Sequence, residues 1–274
     1  MYPILLDFVV PGVGFHVRLP SYGFFLALAF LSAIQLGHHR ALKKGYDPDV
    51  MGNFYVVLIL SSMIGARATF VAIEWHRFVD RPWEAFLLWR GGLVFYGGLL
   101  GGFLGCYAYV KKQRLSALSM ADLAAPCLAL GHAVGRLGCF FNGCCHGLPT
   151  GSSWYGVAFP YTTGDYQLRH PTQLYEAAGL VVIVFVLSRM FWRPHRPGSV
   201  AVWYALLYAP LRFAVECLRG DPRGAFTFGF SPSQLGSLIV LPAGLLVWFL
   251  QVRYQKVQDD PIVSEHPVEA TVRA

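Results

Sequence analysis

Three arginines, Arg67, Arg136 and Arg212, stand inside otherwise apolar stretches of the chain. A guanidinium stays protonated and is costly to hold away from water, so each needs an acidic partner, a wet cavity or an anionic ligand. Arg212 has a partner in view: Glu216 lies four residues on, one turn away on the same helical face. The plain reading of such residues is a structural ion pair or a side chain reaching for an interface. Two of them converging near one surface favour an anion, and a lipid phosphate suits the bidentate fork of arginine.

The segment GHAVGRLGCFFNGCCHG sets Gly131, Gly135, Gly138, Gly143 and Gly147 around Arg136 and Asn142. Residues this small let a second helix or a lipid headgroup approach the backbone, and packing alone explains them equally well. Cys139, Cys144, Cys145 and His146 offer four donors of a metal-binding type. Their C-x4-C-C-H spacing is not that of a zinc knuckle, and no second ligand pair follows. Small packing residues, a Cys139–Cys144 disulfide in an oxidising compartment, a metal site and a catalytic thiol all stay open, and the chain is expected to need no metal and no cofactor. In RHPTQLYEA, His170 precedes Pro171 and is expected in an extended turn. Thr172 is expected to cap a helix and Glu176 to sit in its first turn, favourable to the helix dipole.

The elements that must hold these residues are membrane helices. The 274 residues are 55% hydrophobic and 14% charged, with a mean hydropathy of +0.47, whereas soluble domains carry roughly 25% charge. The apolar residues fall in blocks of about 20, the length that a hydrocarbon core of about 30 Å demands. The chain reads as an all-α integral membrane protein of about seven transmembrane helices, near 19–37, 51–73, 91–110, 119–140, 173–191, 199–217 and 231–251. Residues 1–255 form one polytopic domain with no internal repeat, and 256–274 read as a polar, disordered tail. Residues 1–10 lack a basic start and carry Asp7, so no cleavable signal peptide is expected.

Twelve basic residues fall in the connections of one side, three in each, against seven on the other. That bias sets the N-terminus outside and the C-terminal tail in the cytoplasm. The net charge of +7 thus reads as cytoplasmic-face anchoring, not nucleic-acid binding. The longest connection, 141–172, falls outside, as does the aromatic stretch 75–89, which reads as an interfacial amphipathic helix. Seven Trp and 14 Tyr suit aromatic belts at both interfaces.

These motifs resemble, in order and spacing, the bacterial prolipoprotein diacylglyceryl transferases. PSYGFFLALAF around Tyr22, GARATFV around Arg67, GGLVFYGGLLGG, HAVGRLGCFFNGCCHG, RHPTQLYEA and LRFAVECLRGDP carry the resemblance across nearly the whole chain. It implies transfer of a diacylglyceryl group from phosphatidylglycerol to a lipobox cysteine thiol of a prolipoprotein, at the outer face of the bacterial cytoplasmic membrane. The thiolate attacks the glyceryl carbon bearing the phosphate ester, and glycerol phosphate leaves. The partners implied are phosphatidylglycerol, membrane lipid and the prolipoprotein signal peptide.

Arg136 and Arg212 match the family's functional arginines, and with Tyr96 they are the expected catalytic residues. Substrate binding is expected of Arg136, Asn142, Gly147, Tyr22, Arg67, His170, Gln173, Glu176, Glu216 and Arg219. The chain departs from the best-known members in having Tyr96 where they have His, Cys139 where they have Asn and Cys144 where they have Glu. A phenol is a poor base near neutrality unless arginines depress its pKa, so Tyr96 is expected to hydrogen-bond the lipid or the thiol. The competing readings are a paralogue with another acceptor and a non-catalytic redox or metal-binding membrane protein built on the Cys/His cluster.

Overall fold

Each of the seven apolar blocks contains a helix. The computed structural model describes residues 3–9, 16–87, 91–221 and 229–254. Its long helices are α1 (Ser21–Lys43), α2 (Pro48–Ile73), α3 (Phe95–Lys112), α4 (Ala117–Asn142), α6 (Thr172–Phe191), α7 (Ser199–Cys217) and α8 (Pro232–Tyr254). A single turn, α5 (Pro160–Thr163), lies between α4 and α6. Six of the long helices are long and apolar enough to cross a membrane; α3, 18 residues ending in two lysines, is not among them. The polar tail at 256–274 and Trp89 lie outside the described residues.

Among the described residues, contacts divide the chain into two units, one of those up to residue 37 and from 121 to 254, the other of those between 38 and 120. In the first, β1 (Ile4–Val9) and β2 (His16–Pro20) form an antiparallel hairpin, and β3 (Val157–Ala158) pairs antiparallel with β4 (Leu168–Arg169). Alanines of α4, Ala125 and Ala129, pack on Ile183 and Leu187 of α6 and Val200 of α7. In lipid, where burial of apolar groups drives little, close approach of such small residues supplies the packing. Asp122 of α4 ties α7 in place: its carboxylate accepts from the N–H groups of Gly198 (2.6 Å) and Ala201 (2.9 Å), with His195 at 3.4 Å. It thereby satisfies a helix N-terminus from a distant part of the chain.

In the second unit, Asp47 caps α2 by accepting from the N–H groups of Asp49 (2.8 Å) and Val50 (3.1 Å), with Pro48 as the first helical residue. The glycines of α3 make room for α2, whose small side chains Ser61, Ser62, Ala66 and Thr69 and backbone at Gly65 lie against them. A Cβ on Gly101 would stand 2.5 Å from the Ser61 carbonyl oxygen and 2.9 Å from the Gly65 Cα.

Four expectations are corrected. The third helix starts at Phe95, not Gly91, because Gly91 and Gly92 take φ of +79° and +80°, outside the right-handed helical region. The stretch 75–89 is not one amphipathic helix: two 3-10 turns, Trp75–Phe78 and Pro82–Phe86, replace it. Pro82 bars Arg81 from helical geometry, and Arg81 takes ψ +69°. Thr172 is the first residue inside α6, and Pro171 holds the cap position. The Thr172 hydroxyl instead donates to the Cys145 carbonyl at 2.8 Å. Glu176, expected in the first turn of its helix, lies beyond that turn and is 1% exposed.

Candidate active site

Glu176 is the centre of a buried charge network that draws on α4, α6 and α7. Its Oε1 lies 2.9 Å from Arg136 Nη2 and 3.5 Å from His132 Nε2, and accepts the Tyr208 hydroxyl at 2.8 Å. Its Oε2 is 3.6 Å from Arg212 Nη1. His132 and Arg136 are four residues apart on α4, and Tyr208, Arg212 and Glu216 follow the same spacing on α7. Two helices thus present whole faces to one carboxylate. Arg212 Nη2 reaches Glu216 at 2.6 Å and donates to the Ser233 hydroxyl at 2.8 Å, while Ser231 donates to Glu216 at 2.8 Å. Arg219, just past α7, sits 3.9 Å from Glu216 and forms a two-pronged pair with Asp221 at 2.9 and 3.1 Å.

The network leaves polar atoms of both kinds without a hydrogen bond among the described residues, Glu176 Oε2 and Glu216 Oε2 among the acceptors. Nε of Arg136 and Nη1 of Arg212 are buried and have no hydrogen-bond partner among the described residues. A buried donor left unmade costs about 1–3 kcal/mol, more when charged. The two donors lie on either side of the Glu176 carboxylate, with Arg212 Nη1 3.6 Å from its Oε2.

The 143–171 connection supports this network from one end. Gly143 (φ +80°) and Cys145 (φ +66°) fold the chain back after α4, and the Cys144 N–H returns to the Cys139 carbonyl at 3.1 Å. A non-glycine residue held at positive φ costs of order 1–3 kcal/mol, so its surroundings must enforce it. Thr172 does so at the Cys145 carbonyl, and Gln173 Nε2 donates to the Cys144 carbonyl at 2.6 Å. Gly147 has no room for a side chain: a Cβ would lie 2.6 Å from the Leu218 carbonyl oxygen and 2.6 Å from the His170 Cβ. Its N–H donates to the His170 carbonyl at 2.8 Å, and it bridges Arg219 as a strand would. Farther along, desolvation opposes ionisation of Asp165, but hydrogen bonds from the Gln167 N–H, Arg169 and Thr163 hold its carboxyl below the ordinary range.

The expected residues therefore divide. Arg136, Glu176, Arg212, Glu216 and Arg219 come together in one network. Asn142 ends α4 and hydrogen-bonds the Cys144 sulfur. Tyr22 of α1 lies within electrostatic reach of Arg136 and the three clustered thiols. The His170 ring lies 3.3 Å from the Tyr175 hydroxyl and stacks on Tyr155. Gln173 and Gly147 spend their polar groups on holding the connection, although Gln173 Oε1 has no partner among the described residues.

Arg67 and Tyr96 belong to the second unit. Arg67 donates to the carbonyls of Ala85 (2.7 Å), Gly91 (2.5 Å), Gly92 (3.1 Å), Glu84 (2.7 Å) and Leu87 (3.4 Å). Tyr96 is 77% exposed on the first turn of α3. Sequence reasoning missed His132, Tyr208, Ser231 and Ser233. The four-residue spacing from Arg136 and Arg212 was the available signal for the first two; nothing local marked the serines.

Membrane-length helices around a buried arginine–glutamate network with spare N–H groups define a polytopic membrane protein with an interior suited to an anion. Comparison narrows this class. The family described as "Prolipoprotein diacylglyceryl transferase" matches residues 10–250. A Clostridium tetani protein named phosphatidylglycerol–prolipoprotein diacylglyceryl transferase is 33% identical, covering 93% of this chain and all of that protein. A Gloeobacter violaceus protein of the same name is 33% identical over 92% of this chain and 97% of its own length. The chain belongs to the prolipoprotein diacylglyceryl transferase family.

Proposed function

We propose that this chain transfers the diacylglyceryl group of phosphatidylglycerol to the lipobox cysteine of a prolipoprotein signal peptide, at the outer face of a bacterial cytoplasmic membrane, with release of glycerol phosphate. The names of its relatives supply the donor and the acceptor class. The observation that carries the reading is the pair of buried arginines on either side of Glu176, whose Arg136 Nε and Arg212 Nη1 make no hydrogen bond among the described residues. A phosphodiester seated there takes up both donors. As the C–O bond to the glyceryl carbon breaks, negative charge grows on the leaving phosphate, and fixed cations in a site poor in water are most effective at that moment.

Glu176 holds the two arginines apart at a fixed span and keeps the empty site near neutrality. Glu216 and Ser233 orient Arg212, while Asn142, Gly147, His170 and Gln173 shape the connection beside it. Arg67 acts by fixing the 84–92 segment rather than by reaching the lipid. Tyr96 has a separate role, as a hydroxyl that hydrogen-bonds lipid or thiol.

The test is direct transfer by the purified protein. Phosphatidylglycerol labelled in its acyl chains is expected to pass label to a lipobox peptide and not to the same peptide with Ser for Cys. The gene is likewise expected to rescue a strain depleted of its own diacylglyceryl transferase. Label that stays in the lipid with every peptide overturns the reading.

A further inference from the structure

The three thiols at the end of α4 are not used by the chemistry above. Their sulfurs, on Cys139, Cys144 and Cys145, all lie within 4.8 Å of one another, and the three residues are partly buried and not joined by a disulfide. Sulfurs bound to one tetrahedral zinc ion at about 2.3 Å lie roughly 3.8 Å apart, so a shift of a few tenths of an ångström per thiol closes the set. The backbone is bent to make this cluster. Gly143 and Cys145 at positive φ turn the chain so that Cys144 and Cys145 meet Cys139 one turn back, and Thr172 and Gln173 hold the turn from α6.

Hydrogen-bonding and cationic groups stand beside the sulfurs. Asn142 hydrogen-bonds Cys144, and the Arg219 guanidinium hydrogen-bonds Cys145. Arg136 lies within electrostatic reach of Cys139 and Cys145. His146 does not complete a fourth position: its Nδ1 lies 3.3 Å from the Gly147 carbonyl oxygen and its ring rests against Phe159. Structural zinc sites close with four protein ligands, whereas catalytic sites hold three and leave one position open. Among the described residues, this cluster has three.

We propose that Cys139, Cys144 and Cys145 bind one zinc-class divalent cation whose open fourth position takes the acceptor's cysteine sulfur. The inference rests on the transferase reading, because it assigns the occupant of that position. A thiol that coordinates such a cation loses its proton at neutral pH; here that proton passes to water. The resulting thiolate forms the S–C bond to the glyceryl carbon as the C–O bond to phosphate breaks, and the electron pair leaves with glycerol phosphate. Three protein thiolates and the substrate thiolate on a divalent cation carry a net charge of −2. Arg219 and Arg136 stand beside them, and the sulfur stays electron-rich enough to attack. Such a site also removes the need for an imidazole base where this chain has Tyr96.

The experiment uses the full chain, purified reduced and without oxygen in detergent. Elemental analysis is expected to find one zinc per chain. After exchange for Co²⁺, a sulfur-to-cobalt charge-transfer band is expected in the near ultraviolet. Adding lipobox peptide is expected to strengthen that band and raise the sulfur count by X-ray absorption from three to four, while the Ser peptide changes neither. Cys145→Ser is expected to weaken metal binding at least a hundredfold. The wild-type protein stripped by a chelator makes the same comparison without risk of misfolding, and it is expected to lose transfer and regain it with zinc.

Stripped protein that transfers at the full rate overturns the metal site while leaving the transferase reading intact. A cobalt spectrum indifferent to the peptide overturns the assignment of the fourth position. Metal and peptide signals with no lipid transfer overturn the transferase reading instead. A Cys139–Cys144 disulfide in the reduced protein, or no metal uptake at all, overturns the proposal.

Discussion

Arg67 and the pair Arg136 and Arg212 look alike in the sequence, as guanidinium groups set in apolar helices, but the chain employs them differently. Arg67 has five N–H donors, and its three nitrogens are shared among five backbone carbonyls, with the Phe70 and Phe78 rings 5.4 and 5.5 Å from its carbon. It is a saturated cation that fastens an irregular segment. Arg136 and Arg212 face carboxylates instead, and each keeps a buried nitrogen without a hydrogen-bond partner among the described residues. Buried positive charge by itself does not mark a binding site. A buried cation whose nitrogens are not all spent on the protein's own acceptors is the better candidate.

The contrast can be broken at its centre first. Glu176→Ala removes the carboxylate shared by Arg136, His132, Tyr208 and Arg212. Breaking a buried ion pair costs about 3–5 kcal/mol, so the variant is expected to lose most folded protein, read by thermal unfolding in detergent. A Glu176→Ala protein as stable as the parent would mean that the network does not hold α4, α6 and α7 together.

Next in size are Arg136→Lys and Arg212→Lys. An ammonium keeps the charge but loses the fork, and a hydrogen bond to a charged group is worth about 1.5–3 kcal/mol. Turnover is expected to fall by tenfold to a hundredfold or more, with the melting temperature moving little. Turnover near that of the parent in both variants removes the phosphate-binding role.

Arg67→Lys is expected to show the opposite pattern. It leaves carbonyls of the 84–92 segment without donors and costs stability of about 1–3 kcal/mol, while activity per folded molecule changes less than about threefold. Equal loss of turnover in Arg67→Lys and Arg136→Lys would erase the distinction between the two kinds of arginine.

The smallest expected effect is at Tyr96→Phe, which removes one exposed hydroxyl and keeps the ring. A lost hydrogen bond corresponds to about 1–2 kcal/mol of transition-state stabilisation, and a lost general base to a hundredfold or above. Assays with labelled phosphatidylglycerol and lipobox peptide separate these outcomes. No change leaves Tyr96 as an interfacial anchor only.

How far the sequence reached follows the same physics. Apolar length marks helices, so all seven blocks were legible. Charge in an apolar context marks the arginines, and Glu216 was found because a helix sets residues four apart side by side. Glu176 was misread as a helix-end carboxylate because its partners lie 40 and 36 positions away on other helices, and no local rule reaches that far. Asp122 capping α7 was hidden for the same reason. The convergence of Cys139 with Cys144 and Cys145 depends on one cysteine at positive φ, a backbone state that cysteine does not advertise. Trp75 to Trp89 failed more simply: the aromatic pattern was read and Pro82 was underweighted.

The close packing of small residues between α2 and α3 has a consequence for biogenesis. At 18 residues with two terminal lysines, α3 is a poor candidate to leave the translocon unaided. Its glycines let it lie directly against the backbone of α2, which emerges just before it and is strongly apolar. The two are therefore suited to enter the bilayer as one hairpin, with the earlier helix acting as the solvent for the later. A substitution at Gly101 would then register as a defect in insertion before it registers as a defect in the finished protein.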